Sequence, residues 1–225
     1  ASDVYKRQVE DPVEYQIKGI NQVQIKPQIG LVFANCLKSL LRQAPDVIMI
    51  GEIRDFETVD IAIKSALTGH LVLSTLHTTT ACGSVVRLVN MGVEPFLITS
   101  SLIAVVAQRL IRELCPECKE RYVPSQTLVS RLGIKQNKDE NLLFYKAKGC
   151  PQCLNTGYKG RIGICEVLIM SPMIRSMILK RARESEIKQV AREEGMRTLR
   201  EDGLVKVVRG ATSLEEVLRV TVADE

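Results

Sequence analysis

The stretch PDVIMIGEIRD, residues 45–55, contains the run that decides the fold. Its uncharged aliphatic part, Val47–Ile50, is typical of a strand buried on both faces, as the strands of parallel sheets are. A glycine follows the strand, and Glu52, Arg54 and Asp55 come directly after it. Ligands of open α/β sheets bind outside the carboxyl ends of the strands, so Glu52 is a candidate magnesium contact, direct or through water, in a phosphoryl-transfer site. An ordinary loop with a solvated acid is the alternative.

Length, composition and charge argue against several classes of protein. The chain has 225 residues, which suits one large domain or two smaller ones. Its net charge of +5 is spread along the chain, Trp is absent and aromatic residues make up 4%, so neither a concentrated basic face nor a base-stacking platform is indicated. The sequence shows no run of about 20 apolar residues and no secretory signal pattern, and we expect a soluble, intracellular protein.

Strand and helix patterns alternate along the first half of the chain. Residues 9–15 resemble the end of a strand that turns at Pro12, and apolar runs predict strands over 47–50 and 71–76. Helical spacing of apolar residues predicts helices over 31–41, 56–68, 81–90 and 95–114. This order favours a parallel sheet with right-handed crossovers.

Polar residues follow three of these strands. Glu10, Asp11 and Glu14 follow the first, Glu52 the second and His77 the third. Metal-assisted nucleotide hydrolysis needs one acid to hold magnesium or its water, a second to orient the attacking water, and a donor to sense the γ-phosphate. A single histidine after a strand is more often a structural hydrogen-bonding group. The interpretation therefore depends on all three strand ends meeting at one edge.

Four segments make the chain resemble the hexameric secretion ATPases that drive type II secretion and type IV pilus assembly. They are VEDPVEY (9–15), LLRQAPDVIMIGEIRD (40–55), TGHLVLSTLHT (68–78) and MGVEPFLITSSLIAVVAQRLIRELC (91–115). The resemblance extends from Val9 to about Val222. It implies a RecA-like α/β core with a parallel sheet, truncated at its N-terminus, in a homo-hexamer. It also implies a cytoplasmic protein, peripheral to the inner membrane through a platform protein partner, with no direct nucleic-acid contact.

The resemblance also implies roles for the polar residues. By position, Glu14 resembles the residue that polarises the attacking water, with Glu10 and Asp11 shaping its site. Glu52 is similar to the Walker B acid that positions Mg²⁺. His77 is similar to the histidine that couples the state of the phosphate to the neighbouring subunit.

The phosphate loop that this family requires, G-x-x-x-x-G-K-[ST], does not occur in the 225 residues. In the family it precedes the first of the four segments, so we expect the complete core to begin upstream. Residues 1–8 are expected to be a non-native or disordered leader. We expect the chain by itself to bind ATP poorly and to hydrolyse it hardly at all. Arg54 and Arg87 lie where arginines of the family reach a γ-phosphate.

Two Cys-x-x-Cys pairs form the second strong pattern. Cys115 and Cys118 make the first pair, and Cys150 and Cys153 follow after thirty-one residues. Such knuckles present four thiolates tetrahedrally to a structural Zn²⁺. A redox pair without thioredoxin-like context, or small buried hydrophobic residues, are the alternatives. The resemblance agrees with zinc, because assembly-type members carry a tetracysteine insert here and pilus-retraction ATPases generally do not.

The rest of the chain is predicted by simpler signals. We expect the core to span 9–114, the zinc insert 115–155, and a return strand with a helical C-terminal lobe 156–225. Residues 165–170 form the predicted strand, which by analogy with the family returns to the edge of the main sheet. Arg161 is a candidate for the adenine pocket or a contact between subunits, with a surface turn as the simpler alternative.

The resemblance as a whole implies an ATPase that uses ATP with Mg²⁺ and powers assembly of a type IV pilus or a type II secretion pseudopilus. Two other classes remain open. One is a non-catalytic scaffold with the same fold, and the other is a zinc-stabilised nucleic-acid-binding module.

Overall fold

The computed structural model describes residues 4–134 and 142–222. Its strands are β1 (Lys6–Glu10), β2 (Asn21–Gln24), β3 (Val47–Ile50), β4 (Leu71–Ser74), β5 (Ala104–Leu114), β6 (Glu120–Tyr122), β7 (Phe144–Lys146) and β8 (Tyr158–Ile169). Its α-helices are α1 (Phe33–Leu41), α2 (Phe56–Leu67), α3 (Ala81–Asn90), α4 (Pro95–Ser101), α5 (Gln126–Arg131), α6 (Pro172–Leu179), α7 (Glu184–Glu193), α8 (Leu199–Val208) and α9 (Leu214–Val220). The chain divides into a first unit, Ala1–Val105 with Ile169–Val190, and a second unit, Val106–Leu168 with Ala191–Glu225.

A four-stranded parallel sheet forms the centre of the first unit. Its strand order is β2-β1-β3-β4, and all three pairings are parallel. The register aligns Val9 with Ile50, and Ile50 in turn with Ser74. The carboxyl ends of β1, β3 and β4 therefore lie at one edge of the sheet. The parallel α/β core expected from the sequence is confirmed.

Strand β1 begins earlier than expected. Lys6, Arg7 and Gln8 belong to it, although we assigned them to a leader. The backbone carbonyl of Tyr5 accepts hydrogen bonds from the amides of Asp46 and Val47, at 2.9 and 3.1 Å, which fixes the start of the strand. Charged side chains at its first two positions concealed the strand in the sequence, since they give it no apolar alternation.

Strand β4 is an edge strand of this sheet in the described part of the chain. Its apolar residues Leu71 and Leu73 are 47% and 50% exposed. Strand β4 is therefore only partly buried. Strand β3, which lies between β1 and β4, has Ile48 and Ile50 fully buried.

The expectation of one long helix over residues 95–114 is wrong. Helix α4 ends at Ser101, and β5 begins at Ala104. The buried residues of β5 are Ala107, Ile111 and Leu114, four and three positions apart, which is also the spacing of a helix face. A strand is adopted because β5 pairs with β8.

The return strand is also corrected. Strand β8 runs from Tyr158 to Ile169 and pairs with β5 in a separate two-stranded sheet, so it does not join the edge of the four-stranded sheet. Strands β6 and β7 pair antiparallel in a third sheet. None of the described helices is long and apolar enough to cross a membrane.

Glu216 is the central polar group of the second unit. Its side chain is fully buried, and it accepts hydrogen bonds from the backbone amide of Arg112 and from the guanidinium groups of Arg112 and Arg219, at 2.7–3.0 Å. The Arg112 guanidinium also lies 4.1 Å from the ring centre of Tyr158. Burial raises the pKa of Glu216, but the hydrogen bonds from the two arginines outweigh it and hold the pKa at about 2. Glu216 is therefore a carboxylate at neutral pH.

Candidate functional site

Glu52 and His77 meet at the carboxyl edge of the parallel sheet. The Nε2 atom of His77 lies 2.6 Å from Oε2 of Glu52. The other oxygen of Glu52 forms an ion pair with the guanidinium of Arg54. The Glu52 side chain is 13% exposed, whereas that of His77 is 80% exposed. The acid is therefore held inside the edge while the imidazole faces outward.

Backbone contacts between two loops bring these residues together. Thr75 Oγ1 donates to the carbonyl of Gly51 at 2.6 Å, and the amide of Ile53 donates to the carbonyl of Thr75 at 3.0 Å. The loops after β3 and β4 thus run side by side. Gly51 also donates to the carbonyl of Val9 at 2.7 Å. A Cβ at position 51 would lie 3.3 Å from Cα of Glu10, so glycine lets the end of β1 approach Glu52 closely.

The acids at and after the end of β1 take three different positions. Glu10 accepts a hydrogen bond from Nε2 of Gln22 at 2.8 Å. Asp11 lies near enough to Arg54 for its charge to add to the rise in the pKa of that guanidinium, which the hydrogen bond to Glu52 mainly causes. Glu14 is exposed and makes no hydrogen bond or ion pair with any described residue. The structure therefore gathers Glu52, Arg54 and His77 and brings Asp11 close, but it gives Glu14 no partner in this group.

The electrostatics of the edge favour an ionised Glu52. The hydrogen bond from Arg54 lowers the pKa of this carboxyl, and the one from His77 lowers it further against the opposing effect of burial. A carboxylate of this kind can hold a hydrated Mg²⁺, because magnesium prefers oxygen ligands and retains several of its waters. The donor set at this edge therefore fits the ion that the resemblance implies.

Asp55 is a helix cap. Its Oδ1 accepts a hydrogen bond from the amide of Thr58 at 2.8 Å, at the start of α2. An acid at this position also interacts favourably with the positive end of the helix dipole. The structure thus separates Asp55, which begins a helix, from Glu52, which faces His77.

Two predicted arginines make no hydrogen bond or ion pair with Glu52 or His77 in the described residues. Arg87 is exposed on α3 and makes no hydrogen bond or ion pair with the part of the chain that is described. Arg161 is exposed in β8, in the second unit. Gln22, which binds Glu10, was missed by the sequence analysis because no motif marks a glutamine on a neighbouring strand.

The four cysteines of the two pairs form one cluster in the second unit. Their sulfur atoms all lie within 4.8 Å of one another. The Sγ–Sγ distances are 3.9 Å for Cys115 and Cys150, 3.8 Å for Cys118 and Cys153, and 3.7 Å for Cys150 and Cys153. A tetrahedral zinc with Zn–S bonds of about 2.3 Å separates its sulfurs by about 3.8 Å. The cluster therefore fits a structural zinc ion.

Backbone donors support thiolates in this cluster. The amides of Cys150 and Gly157 donate to Sγ of Cys153 at 3.3 and 3.2 Å. Burial alone raises the pKa of the Cys153 thiol, but these amides and the neighbouring sulfurs bring it down to about 6. Burial raises the pKa of Cys118 instead, to about 12. Zinc supplies the charge that holds all four as thiolates when it is bound.

The family model for "Type II/IV secretion system protein" matches residues 3–219 of this chain. The chain belongs to this family. It is 51% identical over 214 residues to the type IV pilus assembly ATPase PilB of Thermus thermophilus. This alignment covers 95% of this chain and 24% of that protein. It is 53% identical over 220 residues to the type II secretion system protein E of Xanthomonas campestris pv. campestris, covering 98% of this chain and 39% of that protein.

Solved structures agree with the fold. The chain is similar to the pilus retraction motor PilT with bound ADP, with a TM-score of 0.68 and 25% identity, covering 97% of this chain and 53% of that one. It also resembles the ATPase DotB of Legionella pneumophila, with a TM-score of 0.64 and 22% identity, covering 98% of this chain and 52% of that one. The chain spans about a quarter to two fifths of the length of the curated relatives it matches.

Proposed function

We propose that the complete protein containing this chain is an ATP-hydrolysing motor that powers assembly of a type IV pilus or a type II secretion pseudopilus. The observation that carries this proposal is the contact between Glu52 and His77 at the carboxyl edge of a parallel sheet. The names of the relatives, pilus assembly ATPase and secretion system protein E, support it. In this proposal the phosphates are bound by a phosphate loop of the complete protein, which these residues do not contain.

Each residue at the edge has a chemical task in this proposal. Glu52 holds the magnesium ion of MgATP, and that ion, when bound, neutralises charge on the phosphates. Arg54 keeps Glu52 ionised through its ion pair. His77, exposed and hydrogen-bonded to Glu52, responds to whether the γ-phosphate is present. Glu14 is proposed to polarise the attacking water, with Glu10 and Asp11 shaping its surroundings.

Subunit organisation and location follow from the family in this proposal. The complete protein is a homo-hexamer, and closure of subunits around nucleotide supplies the motion. It works in the cytoplasm, held at the inner membrane by a platform protein. Arg87 and Arg161 are proposed to contact nucleotide or a neighbouring subunit. The zinc ion has a structural task, because all four of its ligands are protein thiols and no coordination position is left for chemistry.

Substituting one residue tests the proposal. In the complete protein, Glu52→Gln should reduce MgATP turnover by about 100-fold or more while the oligomer still forms. Glu57→Gln is the matched control, because Glu57 is an exposed acid of α2 that pairs with Lys38 at 2.6 Å. Unchanged turnover in Glu52→Gln would refute the assignment of Glu52. A wild-type protein that assembles but does not hydrolyse ATP would favour the scaffold alternative.

A further inference from the structure

The loop that carries His77 is also held by hydrogen bonds at its C-terminal end, where α3 begins. Thr80 is the N-cap of α3, and its Oγ1 accepts a hydrogen bond from the amide of Gly83 at 2.9 Å. The same Oγ1 donates to Oε1 of Glu184 at 2.6 Å, although 104 positions separate the two residues. Thr78 Oγ1 lies 2.6 Å from Oγ of Ser84. These hydrogen bonds hold the short segment between His77 and α3.

Glu184 is closely fitted to this position. A Cβ at position 83 would lie 2.7 Å from Oγ1 of Thr80 and 3.2 and 3.4 Å from the two carboxylate oxygens of Glu184. Any side chain there would displace Thr80 or Glu184, so glycine makes the contact possible. Glu184 is also the first residue of α7. Its negative charge thus lies close to the first turn of α3 and within the first turn of α7, where the helix dipoles favour an anion.

The orientation of His77 depends on how firmly its loop is held, because few neighbours pack against its side chain. Its side chain is 80% exposed, so packing restricts it weakly. Glu52 is the partner that orients its imidazole, and three residues further on Thr80 is bonded to Glu184. If the bond to Glu184 is lost, the end of the segment at Thr80 keeps only its contacts with the first turn of α3. The imidazole would then sample more orientations, and a small misplacement of a catalytic group is enough to slow a reaction severely.

We propose that Glu184 is a positioning residue: by accepting the hydrogen bond of Thr80 it holds the loop that presents His77 to Glu52. The proposal rests on the function proposed above for Glu52 and His77. Glu184 does not touch the reacting groups, and it acts only through Thr80 and the backbone of residues 77–80.

Four variants of the complete protein separate this role from a general structural one. Glu184→Ala removes the acceptor. Glu184→Asp keeps the charge and the start of α7 but withdraws the carboxylate by about 1.5 Å, one carbon–carbon bond. Glu184→Gln keeps an amide oxygen that can accept from Thr80. Glu186→Ala is the matched control, because Glu186 lies in the same helix turn but is bonded to Arg183 at 2.8 and 3.0 Å.

Two measurements are expected to agree. Hydrogen exchange of the peptide covering residues 76–84 should increase about tenfold in Glu184→Ala and Glu184→Asp, and stay at the wild-type level in Glu184→Gln and Glu186→Ala. The kcat of MgATP hydrolysis should fall about tenfold in the first two variants, with KM within twofold of wild type. If Glu184→Ala does not fold, Glu184→Asp carries both measurements.

A double variant gives the decisive comparison. Because Glu184 acts through His77, adding Glu184→Asp to His77→Ala should lower kcat no further than His77→Ala alone. A further tenfold fall in the double variant, or unchanged exchange of residues 76–84 in Glu184→Asp, overturns the proposal. Failure of the proposed function is distinguishable, since a wild-type protein without ATPase activity leaves the exchange experiment intact and able to decide whether Glu184 holds the loop.

Discussion

Nε2 of His77 lies 2.6 Å from Oε2 of Glu52, across twenty-five positions of sequence. If this contact belongs to the catalytic site, His77→Ala in the complete protein should lower kcat for MgATP by about 10- to 100-fold, since an oriented hydrogen-bond donor is lost. Steady-state ATPase assays measure the effect. His70→Ala is the matched control, because His70 contacts the carbonyl of Ser65 at 3.0 Å and serves only the end of α2. Equal losses in both variants would contradict the assignment.

Asp55 is expected to matter for stability and not for turnover. Its cap at the start of α2 should make Asp55→Ala less stable by about 1 kcal/mol, measured by denaturant unfolding. Asp55→Asn should be nearly neutral, because asparagine caps helices as well as aspartate does. A large loss of ATPase activity in Asp55→Asn would show instead that this carboxylate acts in the site.

The cysteine cluster predicts bound metal. Elemental analysis of the purified protein should find about one zinc per chain, and Cys118→Ser should lose it and lower the melting temperature. Zinc binding at such sites is coupled to folding by on the order of 10 kcal/mol in apparent terms, so the loss should be large. Cys165→Ser is the control, since Cys165 lies in β8 outside the cluster. Protein that is fully stable and free of zinc after careful handling would refute the site.

The buried carboxylate of Glu216 predicts a stability defect. Glu216→Ala leaves the guanidinium groups of Arg112 and Arg219 without their acceptor and should cost about 2–4 kcal/mol. The cost is less than for a fully enclosed pair because both arginines are about half exposed. Glu215→Ala, at the exposed neighbouring position, should change stability by less than about 0.5 kcal/mol. Denaturant unfolding measures both.

The same group predicts a dependence on pH. The pKa of Glu216 is about 2 in the folded protein against an ordinary value of 4.5, so it contributes stability above about pH 4.5. That contribution is lost as the pH falls from about 4.5 towards 2, because the unfolded chain takes up the proton first. In this window the free energy of unfolding should fall less steeply for Glu216→Gln than for wild type. Parallel slopes would contradict the lowered pKa.

The candidate site was predictable because it depends on a property of strands. Once Val47–Ile50 and residues 71–76 are assigned to one parallel sheet, the residues that follow them must share an edge, and Glu52 and His77 do. The cysteine cluster was predictable for a similar reason, since its spacing defines its geometry. Glu184 was not predictable, because its contact with Thr80 joins residues 104 positions apart and depends on tertiary packing.

The fold was predictable where the apolar residues of a segment follow one clear spacing, and not where their spacing suits both a helix and a strand. Strand β5 buries residues at a spacing that also suits a helix, so only its pairing with β8 decides the outcome. The start of strand β1 was not predicted for the opposite reason, because Lys6 and Arg7 give its first half no apolar pattern at all. Glu216 was missed because a buried glutamate between two arginines resembles an ordinary exposed helix charge in sequence.

The free side of β4 has a practical consequence for work on this segment. Backbone amides and carbonyls on that side have no strand beside them in the described residues, and Leu71 and Leu73 of the same strand are about half exposed. Such a border is a template on which a strand from another molecule can add. Concentrated samples of the isolated segment should therefore precipitate through this border first, and dilute, cold handling with a charged residue introduced at position 73 would slow the process.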